Sequence, residues 1–295
     1  MKIGFRSNRY KDPSCQVVQK VETILKGLGC QVEVVRQGST VEKNGLTMFS
    51  ESRETFQDCD FVLSLGGDGT FLNAVHATAM NNTPVAGINL GSLGFLAEIM
   101  PDQLEDSLGR LVAGEYKIEE RLMLDAKVKD SEGKILHHYF ALNDVVLSRG
   151  NAPRILPVEL WLDNQFTEMI LADGLMISAP TGSTGYSMAA GGPIVDPTLE
   201  LMIVTPICPH SLHSRSYIIS PDCDVTLKMR YYPFEPVITI DGQHDILTSY
   251  TQTITVERSD RKLRIPRLRE FDFFRELPEK LRGRGYIEKS ASERR

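Results

Sequence analysis

The feature that most constrains the fold is a change of pattern near residues 113 to 120. Before it, short apolar runs alternate with helical periodicities. Lys2 to Phe5 reads as a strand. Asp12-Pro13-Ser14 then offers an N-cap with proline at the first helical position. Val17, Val18, Val21, Ile24, Leu25 and Leu28 recur on one helical face, and Gly27 and Gly29 end it. Val32, Val34 and Val35 mark a strand, Phe61 to Leu65 another and Val85 to Leu90 a third; Leu104, Leu108, Leu111 and Val112 mark a further helix. Short apolar strands joined by helices predict a parallel sheet covered on both faces. From about Arg121 strands dominate. Leu122-Leu124-Ala126-Val128 alternates, and Asp163-Asn164-Gln165 between two apolar runs is a hairpin signal. This half predicts an all-β, sandwich-like unit. The expected organisation is an α/β N-terminal domain with a Rossmann-like parallel sheet over residues 1–115 and a β-rich C-terminal domain over 116–266. Residues 267–295, rich in both charge signs, are expected to form a C-terminal extension that packs back on the N-terminal domain and ends in disorder.

The strand Phe61 to Leu65 runs directly into Gly66-Gly67-Asp68-Gly69-Thr70, and a helix-like stretch begins at Phe71-Leu72. Glycines in such a turn let the backbone reach positive φ and bring N–H groups close to a ligand. The helix start adds unpaired donors and a positive dipole end, which suit a phosphate. A carboxylate among phosphate-seeking amides is unfavourable unless it has chemical work, such as taking a proton or holding a metal ion. The turn therefore points to phosphoryl transfer from a nucleotide.

Composition narrows the partners. The chain has 295 residues, enough for two domains, and a net charge of −6, which argues against a nucleic-acid binder and for a small-molecule partner. No apolar run reaches a membrane span, and the N-terminus enters a strand without a signal-peptide core. Five cysteines without a CxxC pair read as reduced thiols of a cytoplasmic protein. His210 and His213 have near-metal spacing but no third convergent ligand, and His137 and His138 face opposite sides of a strand, so no metal-binding residue is assigned.

A second cluster of small and hydroxyl residues lies in the β-rich half. Ala172-Asp173-Gly174-Leu175 precedes a short strand, and Pro180-Thr181-Gly182-Ser183-Thr184-Gly185-Tyr186-Ser187-Met188-Ala189-Ala190-Gly191-Gly192-Pro193 follows it. Such density lets backbone approach a ligand. Tyr186 is equally suited to stacking on a base or to packing in the core. An aspartate within the first cluster and one before the second suggest two walls of one polar site.

Four motifs in this order resemble the NAD kinases: Gly66 to Thr70, Asn89-Leu90-Gly91-Ser92-Leu93-Gly94-Phe95-Leu96, Asn143-Asp144-Val145-Val146-Leu147, and Asp173 to Pro193. The glycine-aspartate turn alone is shared with diacylglycerol-type lipid kinases. The second and fourth motifs separate the NAD kinases from those relatives. The resemblance implies transfer of the γ-phosphoryl of ATP to the 2′-hydroxyl of the adenosine ribose of NAD, giving NADP. It implies Asp68 as the general base, with Gly66, Gly67, Gly69 and Thr70 shaping the phosphate side. On the NAD side it implies Asn143, Asp144, Asp173, Thr181, Thr184, Gly185, Tyr186, Ser187, Met188, Ala189 and Gln243. Arg154, where relatives often carry a basic residue, faces a pyrophosphate or is a surface arginine. A divalent ion, Mg²⁺, is expected to arrive with ATP, and a homodimer or homotetramer is expected. The chain departs from the pattern at Leu171, where many relatives have arginine or glycine, and at Asp144, where some have glutamate.

Two other readings compete. A diacylglycerol-type lipid kinase would need an apolar groove and membrane-surface affinity, and the polar run Thr181 to Ser187 argues against it. A non-catalytic dinucleotide sensor would have no need of Asp68.

Overall fold

The computed structural model describes residues 1–8, 10–35, 40–43, 46–49, 56, 58–79, 81–91 and 94–285; of these, 34–35, 40–43, 46–49 and 282–285 are described by backbone alone. Ser92 and Leu93 of the second motif, and the end of the C-terminal extension from residue 286, lie outside the described residues. The chain divides into two compact units. One takes Met1–Glu42, Phe49–Glu119 and Arg264–Arg295, and the other Lys43–Met48 and Glu120–Leu263. Among the described residues no helix is long and apolar enough to cross a membrane.

The chain opens with β1 (Lys2–Ser7), α1 (Gln16–Gly27), β2 (Gln31–Val35), and the two-stranded ribbon β3 (Thr40–Lys43) with β4 (Leu46–Phe49). It continues through β5 (Phe61–Gly66), α2 (Asp68–Thr78), β6 (Val85–Asn89) and α3 (Leu104–Ala113). Four of these strands form the parallel sheet β2-β1-β5-β6, as the alternation of strand and helix predicts. One face carries Phe5, Leu63, Leu65, Ala86 and Ile88, and packs on Val18, Val21 and Leu25 of α1 and on Leu104, Leu108 and Leu111 of α3. Each of the larger side chains, fully buried, contributes roughly 1.5–3 kcal/mol. On the other face α2 buries Phe71, and Gly87 leaves the space that Phe71 and Ala97 fill.

The start of α1 differs from the sequence reading. The helix begins at Gln16, not at Pro13, because residues 12–15 first make a turn that closes with Cys15 N–H on Asp12 O and leaves Cys15 left-handed at φ 54°. That turn swings the Asp12 carboxylate back over the helix end, where Oδ2 accepts from Val17 and Val18 N–H, each at 3.1 Å. Asp12 therefore caps the helix from four residues upstream of its start.

The second unit contains β7 (Lys117–Lys129), β8 (Ile135–Ala141), β9 (Asp144–Ser148), β10 (Leu156–Leu162), β11 (Gln165–Ala172) and β12 (Gly174–Ser178). A single helical turn, α4 (Tyr186–Ala189), separates these from β13 (Met202–Ile207), β14 (Tyr217–Ile219), β15 (Val225–Met229), β16 (Val237–Ile240), β17 (His244–Leu247) and β18 (Thr253–Arg267). They make two six-stranded sheets, β11-β10-β15-β18-β7-β8 and β14-β13-β12-β9-β16-β17. One apolar core draws on both: Leu124 and Val158 from the first sheet, Leu147 and Ile177 from the second. This is the sandwich that the alternating strands predict. The β10–β11 hairpin turns at Asp163 and Asn164, both at positive φ (49° and 62°), the geometry that two-residue hairpin turns favour.

The chain from Arg264 counts with the first unit. Buried Arg267 pairs with Glu98 at 2.9 Å and Glu119 at 3.0 Å, so its charge is compensated twice. A helix, α5 (Phe273–Gly285), follows and has no counterpart in the sequence reading. Pro278 lies inside it, and dense charge hides its apolar face.

Candidate active site

The glycine-aspartate turn is built by close approach rather than by unusual torsions. Gly66, Gly67 and Gly69 all have negative φ, contrary to the expectation from their residue type. A Cβ on Gly66 would collide with the Thr70 side chain. A Cβ on Gly67 would stand 2.8 Å from the Lys11 ammonium, while one on Gly69 would meet only open space. The turn is thus tight on its inner side and open on its outer side. Thr70 and Phe71 N–H both close on Gly67 O at 3.0 Å, and α2 begins at Asp68.

Asp68 joins the first two motifs. Its Oδ2 accepts from Phe95 N–H at 3.2 Å and its Oδ1 from Leu96 N–H at 3.3 Å. The Gly94 Cα lies so near that any side chain there would strike the carboxylate. Two backbone donors therefore fix the plane of the acid at the helix N-terminus. Phe95 is held from behind by Lys280 of α5, whose ammonium lies 5.1 Å from its ring centre and pairs with Glu276 at 2.8 Å. Burial lowers the Lys280 pKa, with the Glu276 hydrogen bond opposing it.

The third motif opens a cavity of about 470 Å³ in the second unit, lined by Asn143, Asp144, Ser148, Tyr186, Thr239 and Asp241 among others. Its organising group is Asp241, in the β16–β17 turn, where Asp241 and Gly242 both take positive φ (50° and 63°). The Asp241 carboxylate accepts from Leu142 N–H at 2.8 Å, Asn143 at 2.7 Å and Asp144 at 3.0 Å, and its own N–H donates to Asp144 O. Asp144 is buried beside it, and burial first, then the Asp241 charge, pushes its pKa up to about 7. At neutral pH this side chain can exist in either protonation state.

The remaining predicted residues divide by environment. Tyr186 is 48 % exposed on the cavity wall, so it is not a core residue, and burial with the nearby Cys208, Asp144 and Asp173 raises its pKa. Asp173 is held at 2.7 Å by Arg149 Nε, a partner the sequence reading missed. Arg154 is exposed, with its carbonyl oxygen accepting from the Tyr232 hydroxyl at 2.7 Å. Thr181 and Thr184 are buried in a 3₁₀ turn, and Gly182 of that turn packs against the Asn143 carbonyl, which places the turn behind the cavity. The Ser187 hydroxyl points inward beside Gly192, Met188 is half-buried, Gly185 precedes the first residue of α4 and Ala189 is its last. Gln243 is half-buried and closes the β16–β17 turn through its N–H on Ile240 O at 2.8 Å. Leu171 is exposed, and its carbonyl accepts from His210 N–H.

Comparison with known proteins bears on all of these motifs. Residues 3–116 match the ATP-NAD kinase N-terminal domain, and residues 142–268 the ATP-NAD kinase C-terminal domain. The NAD kinase of Caldanaerobacter subterraneus subsp. tengcongensis is 38 % identical over 283 residues, covering 95 % of this chain and 98 % of that protein. The NAD kinase of Natranaerobius thermophilus is 39 % identical over 284 residues, with the same coverage. An NAD kinase from Archaeoglobus fulgidus, solved in complex with ATP, superposes with a TM-score of 0.77 at 26 % identity over 96 % of this chain and 99 % of that one. A yeast NADH kinase complexed with NADH shares the fold, with a TM-score of 0.82 at 24 % identity over 99 % of this chain and 90 % of that one. The chain belongs to the NAD kinase family.

Proposed function

We propose that Asp68 is the general base in the reaction of this family, transfer of the γ-phosphoryl of ATP to the 2′-hydroxyl of the adenosine ribose of NAD. The observation that carries the assignment is the carboxylate pinned by Phe95 and Leu96 N–H at the start of α2, beside the open backbone of Gly69. As the 2′-oxygen attacks the γ-phosphorus, its proton passes to Asp68, the bond to the β–γ bridging oxygen breaks, and ADP leaves. Positioned proton removal contributes about 10²–10⁴-fold, and alignment with amide and charge stabilisation supplies the rest. Gly66, Gly67, Gly69 and Thr70 shape the phosphate side. Asn143 and Asp144 accept from ribose hydroxyls and the adenine amino group, Tyr186 covers the base, and Asp173 with Arg154 serves the far half of the dinucleotide.

Mg²⁺ carried by ATP fits this donor set. The turn offers the Asp68 carboxylate and the Thr70 hydroxyl, oxygen donors of the kind a hard cation takes beside phosphates. Bound with the nucleotide, the ion would neutralise charge on the β- and γ-phosphate oxygens. The same family reading assigns a cytoplasmic homodimer or homotetramer, which a light-scattering mass would test.

The decisive experiment is NADP formation from ATP, Mg²⁺ and NAD, read through an NADP-specific dehydrogenase. Asp68→Asn should lower kcat by about 10²–10⁴-fold while NAD still binds. Turnover within threefold of the unsubstituted protein would remove Asp68 from the base role.

A further inference from the structure

We propose that Lys11 is a phosphate-binding catalytic residue, seating the terminal phosphates of the donor over the glycine turn and stabilising the charge that leaves on ADP. The inference rests on the kinase reading above but concerns a residue that none of the four motifs contains. Lys11 lies in the loop between β1 and α1. The sheet order β2-β1-β5-β6 reverses direction between β1 and β5, and in open α/β sheets ligands bind beyond the strand ends at that reversal. Both the Lys11 loop and the Gly66 turn leave the sheet there.

The position of the ammonium is specific. A Cβ built on Gly67 would stand 2.8 Å from Lys11 Nζ, and one built on Gly91 would stand 2.5 Å away. The cation therefore rests against two glycine backbones from two different motifs, and neither site tolerates a side chain without moving it. The loop is fastened in place. Asn8 N–H donates to Leu65 O at 2.9 Å, Asn8 Nδ2 to Thr70 Oγ1 at 3.3 Å, and Lys11 N–H to Asn8 O at 3.1 Å. The neighbouring acid, Asp12, is occupied by the α1 amides. Among the described residues no carboxylate pairs with Lys11, although the side chain is exposed at the mouth of the turn.

A lysine presents a compact charge that suits phosphate oxygens, and a donor placed where charge develops acts more strongly in the transition state than in the ground state. The glycines at 67 and 91 then acquire a joint reason: they clear the berth of this cation. No bond to the lysine forms or breaks.

The test compares unsubstituted protein, Lys11→Met, Lys11→Arg and Gly91→Ala. Unsubstituted protein must first make NADP; its failure to do so would strike the family reaction, not Lys11. Lys11→Met should then raise the Kd of ATP at least tenfold and lower kcat about 10²-fold, with Lys11→Arg recovering part of both. The inhibition constant of AMP, measured in competition with ATP, and the KM for NAD should stay within twofold. Gly91→Ala keeps the charge but displaces it, and should give a smaller loss of the same kind. Because Lys11 is exposed, the Tm should not move. Equal weakening of ATP and AMP, a rise confined to the KM for NAD, or ATP binding and kcat both unchanged would each overturn the proposal.

Discussion

The turn after β5 and the cavity beside β9 handle carboxylates in opposite ways. Asp68 is half-buried and held by main-chain donors, in a space that Gly94 keeps open. Asp144 is buried next to a second carboxylate, with its own pKa raised to about 7. The first site is shaped by atoms that are missing, the second by polar atoms that are present. One should therefore fail when something is added and the other when something is removed. Substitutions at the two places test whether this contrast is real.

Gly94→Ala should have the largest effect. Its methyl would meet the Asp68 carboxylate, whose two N–H donors come from the next two residues, so the acid must shift or the loop must lift. A displacement of about 1 Å in a reacting group can cost on the order of 10²-fold in rate. Steady-state assays should show kcat reduced by about that factor, with the KM values for ATP and NAD within threefold. A kcat near the unsubstituted value would mean that the turn has slack, and the contrast would fail on that side.

Asp241→Ala makes the converse test. It strips three N–H groups, of Leu142, Asn143 and Asp144, of their acceptor. Leaving buried donors unmatched costs about 1–3 kcal/mol each and is not additive, so a total loss of about 2–4 kcal/mol is expected. For a chain of this size that lowers Tm by roughly 5–10 °C. Calorimetry would check it, and NAD affinity should fall with it because the same amides carry Asn143 and Asp144 to the cavity. A Tm unchanged within 2 °C would show that other acceptors can replace the carboxylate.

The two sites also differed in how far they could be read from the sequence. The glycine-aspartate turn was legible because its residue types and their place between a strand and a helix form a local pattern. The parallel sheet and the sandwich were legible for a related reason, since burial imposes a period on each strand. What was hidden depended on contacts distant in sequence. Lys11 meets Gly67 and Gly91 only because β1 lies beside β5 and β5 beside β6. Asp241 reaches Leu142 to Asp144 only because β16 pairs with β9. Even at Gly66 the local reading reached the right residue by the wrong route: it expected positive φ, and the requirement is room for the Thr70 side chain. Helix α5 stayed invisible because Pro278 and its charges obscure the period, although its Lys280 lies over the ring of Phe95, whose N–H holds Asp68.

Asp144→Asn tests the same contrast through pH and separates the two kinds of site most cleanly. Burial and then the Asp241 charge raise the Asp144 pKa from the ordinary 3.8 to about 7. Between pH 4 and 7 the folded chain thus holds a proton that the unfolded chain has already lost. This stabilising contribution is complete below about pH 4, declines as the pH rises, and is gone above about 7. Asparagine cannot titrate, so the variant should show a flatter dependence of Tm on pH across that window and should match or exceed the unsubstituted protein at pH 8. Ligand binding should slope the other way. Ribose hydroxyls and an adenine amino group donate hydrogen bonds, so a bound dinucleotide favours the ionised carboxylate. Affinity for NAD should rise as the pH passes through 7 in the unsubstituted protein and stay nearly level in Asp144→Asn. An affinity that falls through the same range would mean that the protonated carboxyl is itself the donor, and the cavity would then read an acceptor on the ligand instead of its hydroxyls.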